Sequence, residues 1–362
     1  MRGFVTSIII AAGFWLALTG CMLTPDSLSP ETSPPPETSP PPTTPAQQSS
    51  PSPSGGVVPE ISQSTESITQ QYSWTYRNRE WTWETQIPQA LYDYYQGIPR
   101  ITSDKNWSVY ITHPLDDNYI DDLTDRIERK AQEEGFTEFE TVEFAAAFVQ
   151  NLPYIADSVT TPYDEYPRYP IETLVDKSGD CEDTSILMAS LLDSMGYGVV
   201  LVVFPGHVGV GVLGGEDMYG SYIEYNGDKY FYLETTNTGW KVGHIPQDFE
   251  GITARIYDMK PTPILTQDWK ATGTDNTVEM EVTVENLGSA AANDVYVLVG
   301  FDAGDDKLWN AKESQPFNLE IGQQITISFT LQAPPEQHTR LIIQVVDDGQ
   351  TVDESFSQWF DT

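Results

Sequence analysis

Residues 178–192 read SGDCEDTSILMASLL, and the role given to Cys181 in this stretch decides what the middle of the chain folds into. After Gly179 and Asp180 the sequence turns helical, with Leu187, Leu191, Leu192 and Met195 supplying an apolar stripe. Asp180 is a good N-cap, and Asp183 three residues later approaches a capping box in form. The pattern therefore predicts that Cys181 sits in the first turn of a helix packed into the core. Free backbone N–H groups and the helix dipole favour a thiolate there and suit a developing oxyanion. The carboxylates of Asp180, Glu182 and Asp183 oppose this by raising the thiol pKa. A cysteine in this setting needs a histidine.

The next stretch supplies one. GYGVVLVVFPGHVGVGVLGG (196–215) reads as a buried strand from Val199 to Phe204, a Pro-Gly corner, and a second strand starting at His207. In that second strand Val208, Val210 and Val212 share a core face, while His207, Gly209 and Gly211 share the other. The bare glycine face is expected to leave room for a substrate beside the imidazole. Then SYIEYNGDKYFYLETT (221–236) places Asn226-Gly227 between two aromatic-rich runs, a hairpin signal. On the return strand Tyr230, Tyr232 and Glu234 share a face. If that strand pairs beside the histidine strand, Glu234 falls on the side of His207 and can orient its ring. Each residue taken singly is ambiguous; the ordered cysteine, histidine and acid are a rarer conjunction.

In this order SGDCEDTSILMASLLDSMGY, PGHVGVGV and KYFYLETT resemble the core of the transglutaminase-like superfamily, which includes cysteine proteases and related amide-processing enzymes. The resemblance covers roughly residues 140–250, and more loosely the chain from about 70. It implies a papain-like, transglutaminase-like catalytic domain of α+β class. It also implies Cys181 as nucleophile, His207 as general base and Glu234 as orienting acid. Many members carry aspartate at the third position, so Glu234 departs from the pattern by one methylene. The implied reaction is acyl transfer through a thioester, resolved by water in a protease or amidase, or by an amine in a crosslinking enzyme. The alternative reading is a surface binding protein that keeps this fold without the chemistry. Gln150 and Tyr154 in FVQNLPYIAD are candidate oxyanion donors, and His244 in WKVGHIPQ is a substitute base.

The termini frame this domain. MRGFVTSIIIAAGFWLALTGC carries one basic residue, Arg2, then an apolar run that closes on Leu18-Thr19-Gly20-Cys21. Residues 1–21 are thus expected to be a lipoprotein signal peptide, with Cys21 lipidated and the protein held on the outer face of a membrane. Residues 22–60, with the tandem ETSPPPETSPPP at 31–42, are too poor in apolar residues to bury a core. They read as an extended linker reaching on the order of 100 Å. With Cys21 modified, Cys181 has no disulfide partner in the chain.

Residues 61–260 form the expected catalytic domain. Within it YSWTYRNREWTWETQIP (72–88) reads as a strand pair, QALYDYYQGI as a short helix, 117–134 as an amphipathic helix and 141–151 as another. The acidic start of the third of these, DDNYIDD, lacks the spaced oxygens, turn glycine and closing glutamate of a calcium loop. Residues 261–362 alternate in short strands, as in TVEMEVTVENLG and QQITISFTLQ, and predict an all-β, immunoglobulin-like sandwich with His338 on its surface. The formal charge of −36 argues against nucleic acid and anionic lipid headgroups as direct partners. No cysteine pair, histidine cluster or phosphate loop appears, so no metal and no cofactor is expected. The expected partner is a protein or peptide substrate, such as a cell-envelope protein.

Overall fold

The computed structural model describes residues 46–47, 66–100, 107–214, 218–274 and 276–362. The expected signal peptide, Cys21 and nearly all of the expected linker lie outside the described residues. Strand β1 is the two-residue segment Ala46–Gln47. Strands β2 (Ser67–Tyr76) and β3 (Arg79–Pro88) form a hairpin whose turn residues, Arg77 and Asn78, take φ of 52° and 59°. Two consecutive positive φ values make the turn whose twist matches that of the flanking strands. The hairpin's aromatic face, Tyr72, Trp74, Trp81 and Trp83, meets Phe144 and Phe148 in edge-on and tilted ring contacts.

Helices α1 (Gln89–Gly97), α2 (Ser108–Ile111), α3 (Asp117–Glu134) and α4 (Glu138–Val149) follow. In α3 the stripe Ile120, Leu123, Ile127 and Ala131 is buried, and Gly135 closes the helix at φ 70°. Helix α4 begins three residues earlier than the sequence predicts. Thr137 caps it and Glu140 returns a bond to the Thr137 N–H at 2.8 Å, so a polar first turn precedes the apolar periodicity. Two short helices, α5 (Asp157–Thr160) and α6 (Pro170–Asp176), lead to α7 (Cys181–Ser194).

Helix α7 is buried almost throughout and lies against a five-stranded antiparallel sheet. Its strands are β4 (Val199–Phe204), β5 (His207–Leu213), β6 (Tyr222–Tyr225), β7 (Asp228–Leu233) and β8 (Arg255–Asp258), in the order β6-β7-β5-β4-β8. The valines of β5 join the main core with Leu187, Leu191 and Leu192 of α7. On the opposite face Val200, Val202, Phe204 and Tyr232 form a second, smaller core, closed by Ile245 and Phe249.

The described part of the last hundred residues is built of strands joined by turns and loops. Strands β9 (Leu265–Thr274), β10 (Thr277–Asn286), β11 (Ala292–Asp302), β12 (Leu308–Glu313), β13 (Phe317–Leu319), β14 (Gln324–Gln332), β15 (His338–Thr339), β16 (Leu341–Asp347), β17 (Gln350–Phe356) and β18 (Phe360–Asp361) complete the chain. One layer runs β14-β10-β9 and the other β12-β11-β16-β17, with β13 on β11 and β1 parallel to β12. The predicted inward face of β10, Val278, Met280, Val282 and Val284, is buried between them. His338 is exposed and paired with Asp361 at 2.7 Å. The fold is thus mixed helix and strand first, then a β-sandwich.

Candidate active site

The backbone before α7 is fixed on both sides. Gly179 bridges to Tyr154 in parallel, with Ile155 N–H donating to its carbonyl at 3.0 Å. A Cβ at Gly179 would stand 2.5 Å from that of Asp183, so only glycine fits beneath the cap. The Asp183 arm of the predicted capping box is in place, accepting the Asp180 N–H at 3.2 Å. One turn on, hydroxyls pin the helix to the sheet. Ser185 donates to the Val208 carbonyl at 3.1 Å, and Thr235 lies 3.0 Å from both Thr184 and Ser185. These bonds set the start of α7 against β5 and the segment that follows β7.

Beyond β7, Glu234 is buried and saturated with donors. Its Oε1 accepts from the Thr235 and Thr236 N–H groups, each at 3.0 Å, and from the Thr236 hydroxyl at 2.7 Å. Its Oε2 meets His207 Nε2 and the Tyr232 hydroxyl, both at 2.9 Å. Burial alone would raise this carboxyl. The hydrogen bond and charge of His207, with the Thr236 donors, overcome it and hold the group down to about 2. The His207 ring stacks flat on Phe249, with centroids 4.6 Å apart and planes 4° apart. Strand pairing explains the meeting: Val210 opposes Leu233, which leaves His207 and Glu234 diagonal on one face.

Cys181 is partly buried, and its thiol is free. It stands in the first turn of α7, the helix that Ser185 ties to the Val208 carbonyl of β5. Its thiol donates to Glu182 Oε2 at 3.2 Å, and among the described residues no hydrogen bond joins it to His207. Burial, and then the charge and hydrogen bond of Glu182, push the thiol well up. The structure therefore unites His207 with Glu234 and brings Cys181 to the same strand, with its proton directed elsewhere.

Several other expectations change. The glycine face of β5 is no open track: a Cβ at Gly209 would stand 2.5 Å from the Tyr232 hydroxyl, and one at Gly211 2.7 Å from Val200. These glycines make room for the protein's own side chains, not for a substrate. Gln150 is no oxyanion donor, because its amide holds the Glu234 and Trp240 carbonyls at 2.8 and 3.1 Å and accepts the Gly239 N–H. Tyr154 stays half-exposed in the field of Cys181; partial burial first, and then the Cys181 charge, raise its phenol to about 12. His244 is exposed, in the turn its N–H closes to the Lys241 carbonyl at 3.0 Å.

The sequence reading missed an ionic cluster behind the cysteine. Arg168, 3% exposed, bonds Asp157 at 2.8 Å, Asp176 at 3.2 Å and, more closely, Asp183. Burial still raises Asp183 to about 7 despite the guanidinium. Asp157, Asp180 and Glu182 bring carboxylate oxygens within 4.8 Å of one another, the grouping among the described residues able to hold a cation. As it stands, burial, followed by the neighbouring Asp180, pushes Glu182 up to about 10, so a proton relieves the repulsion. A cavity of about 980 Å³, lined by Tyr92, Arg100, Tyr163, Tyr166 and Arg168, extends to Ser178.

Comparison with known proteins bears on the other end of the chain. Residues 259–358 match the CARDB family. Two structures of a CARDB domain from Pyrococcus furiosus are similar. One, solved in solution, is 22% identical over 26% of this chain and 84% of that one, with a TM-score of 0.21. The other, described as a complex with di-metal ions, is 22% identical over 25% and 76%, with a TM-score of 0.20. A β-glucosidase from Kluyveromyces marxianus in complex with glucose is 15% identical over 36% of this chain and 16% of that one, with a TM-score of 0.20. No curated protein matches. The expected transglutaminase-like membership is corrected by these findings, since the family matched is CARDB and no transglutaminase-like family is. The motifs that carried the resemblance have local physical reasons: Gly-Asp-Cys-Glu-Asp is a helix cap, and the glycines of β5 are packing clearances. Among the described residues no helix is long and apolar enough to cross a membrane.

Proposed function

We propose that the protein is a thiol-dependent amide hydrolase with a papain-like catalytic portion ahead of its β-sandwich. The observation that carries this reading is the His207–Glu234 pair at 2.9 Å, on the strand to which Ser185 ties the helix that begins at Cys181. With Nε2 directed to Glu234, Nδ1 is the nitrogen left to take the thiol proton. The sulfur then attacks the amide carbonyl carbon. Backbone N–H groups at the start of α7 receive the oxyanion. As the C–N bond breaks, His207 returns the proton to the leaving amine, and a thioester remains. Water, deprotonated by His207, attacks the thioester; the acid leaves and the thiol reforms. A protein or peptide amide is the substrate. Transfer to an amine in place of water would make the same intermediate a crosslinking step.

Iodoacetamide labelling of the full chain at neutral pH tests this. Wild type is expected to label at Cys181, and His207→Ala to label more slowly by roughly tenfold or more, the equivalent of one pKa unit or greater. Equal rates would remove the triad. The second reading, a binding protein without chemistry, draws support from the Cys181–Glu182 bond, which keeps the sulfur protonated; equal rates would favour it. The proposed location is the outer face of a membrane, through lipid on Cys21. Metabolic labelling with a radioactive fatty acid should mark wild type and not Cys21→Ala, and incorporation by both would refute the anchor.

A further inference from the structure

Glu234 divides its donors unequally. The three on Oε1 hold the carboxylate in place from the adjoining backbone and Thr236. Oε2, the oxygen that faces His207, is shared with one other group, the Tyr232 phenol, at an equal 2.9 Å. Tyr232 is fully buried, so no solvent molecule competes for that place. Burial, and then the charge of Glu234, push its phenol far up, which keeps it a donor. The neighbouring strand is cut to fit the ring: a Cβ at Gly209 would lie 2.5 Å from the hydroxyl and 2.6 Å from Cε2. Two independent features, an oxygen shared with the imidazole and a glycine required by the phenol, converge on one hydroxyl.

We infer that Tyr232 is a positioning residue for the chemistry of Cys181 and His207, acting through Glu234 to set how much carboxylate charge reaches the imidazole. The inference rests on the catalytic reading above. An oxygen that accepts two hydrogen bonds gives less charge to each than an oxygen accepting one. Without the phenol, His207 alone receives the charge of Oε2. Its Nε2–H bond tightens, the imidazolium is held more firmly, and the proton is released less readily to the leaving amine. Tyr232 thus keeps the pair from becoming too strong to turn over.

The proton between His207 Nε2 and Glu234 Oε2 should give a low-field ¹H NMR resonance in the full chain, assigned by its loss in His207→Ala. In Tyr232→Phe the resonance is expected to move further downfield. Biosynthetic replacement of the 19 tyrosines by 3-fluorotyrosine strengthens the phenol as a donor with little change of shape, and should move it upfield. An unmoved resonance in both would make Tyr232 a packing residue and overturn the inference, as would a wild type lacking the resonance. Should Tyr232→Phe fail to fold, the fluorotyrosine shift decides alone. Iodoacetamide rates on the same samples separate the two levels. If His207→Ala labels as fast as wild type, the catalytic reading falls, while the shifted proton still reports the hold of Tyr232 on Glu234.

Discussion

Arg168→Leu is expected to lose about 3–5 kcal/mol of stability, the cost of leaving buried charges without their partner. The guanidinium is the shared counter-ion of Asp157, Asp176 and Asp183, and its Nη2 also bonds the Thr160 hydroxyl at 2.7 Å. Asp157 and Asp183 have no exposed side-chain surface, so water cannot take the place of the arginine. Urea unfolding at pH 7 measures the loss. Burial already raises both carboxyls, Asp183 to about 7, and removing the positive charge raises them further. Groups raised in the folded state bind protons more readily there than in the unfolded chain, so the variant should regain stability as the pH falls from 7 towards 5. A variant as stable as wild type at pH 7, or one without recovery in acid, would show that the cluster is not held by Arg168.

Glu234→Gln should be nearly inactive and measurably weaker in the fold. The amide has the shape of the carboxyl but one face of donors. With its oxygen on the Thr235 and Thr236 donors the amide turns its NH₂ to His207 and Tyr232, so the ring must accept at Nε2, which puts its proton on Nδ1 and leaves no base for the thiol. Under the proposed hydrolase reading, turnover on a peptide is expected to fall by roughly 10³–10⁴-fold, as when the carboxylate of a serine-protease triad is made neutral. The pH dependence of stability carries a separate signature. Glu234 is lowered from 4.5 to about 2 on folding, so it stabilises the native state above 4.5 and this share is lost as the pH falls towards 2. The share is about 3 kcal/mol. In Glu234→Gln that part of the acid limb should be missing, and an acid unfolding curve matching wild type would refute the assignment.

What the sequence discloses here is what neighbouring residues decide. The start of α7 follows from Asp180 and Asp183, the corner between β4 and β5 from Pro205-Gly206, and the turn between β6 and β7 from Asn226-Gly227. All three are local matters of backbone conformation. His207 and Glu234 could be matched from alternation alone, because two paired strands have only two faces. Arg168 could not: its partners lie 8 to 15 residues away across loops that carry no periodicity. Gly209 could be seen but not understood, since its reason is a phenol from another strand. Gln150 likewise reads as an available amide until the chain returns at Glu234 and Trp240 to occupy it. The sandwich was legible because its alternation needs no partner to be read, whereas the family drawn from three short motifs was not what the comparison returned.

The bond from Cys181 to Glu182 has a consequence for durability. Oxidants attack the thiolate far faster than the thiol, and they attack what they can reach. A sulfur that is partly buried and donates its hydrogen bond to the Glu182 side chain is poorly exposed to peroxide and to disulfide exchange. The lone cysteine of the described residues is thus expected to oxidise more slowly than a solvent-open thiol.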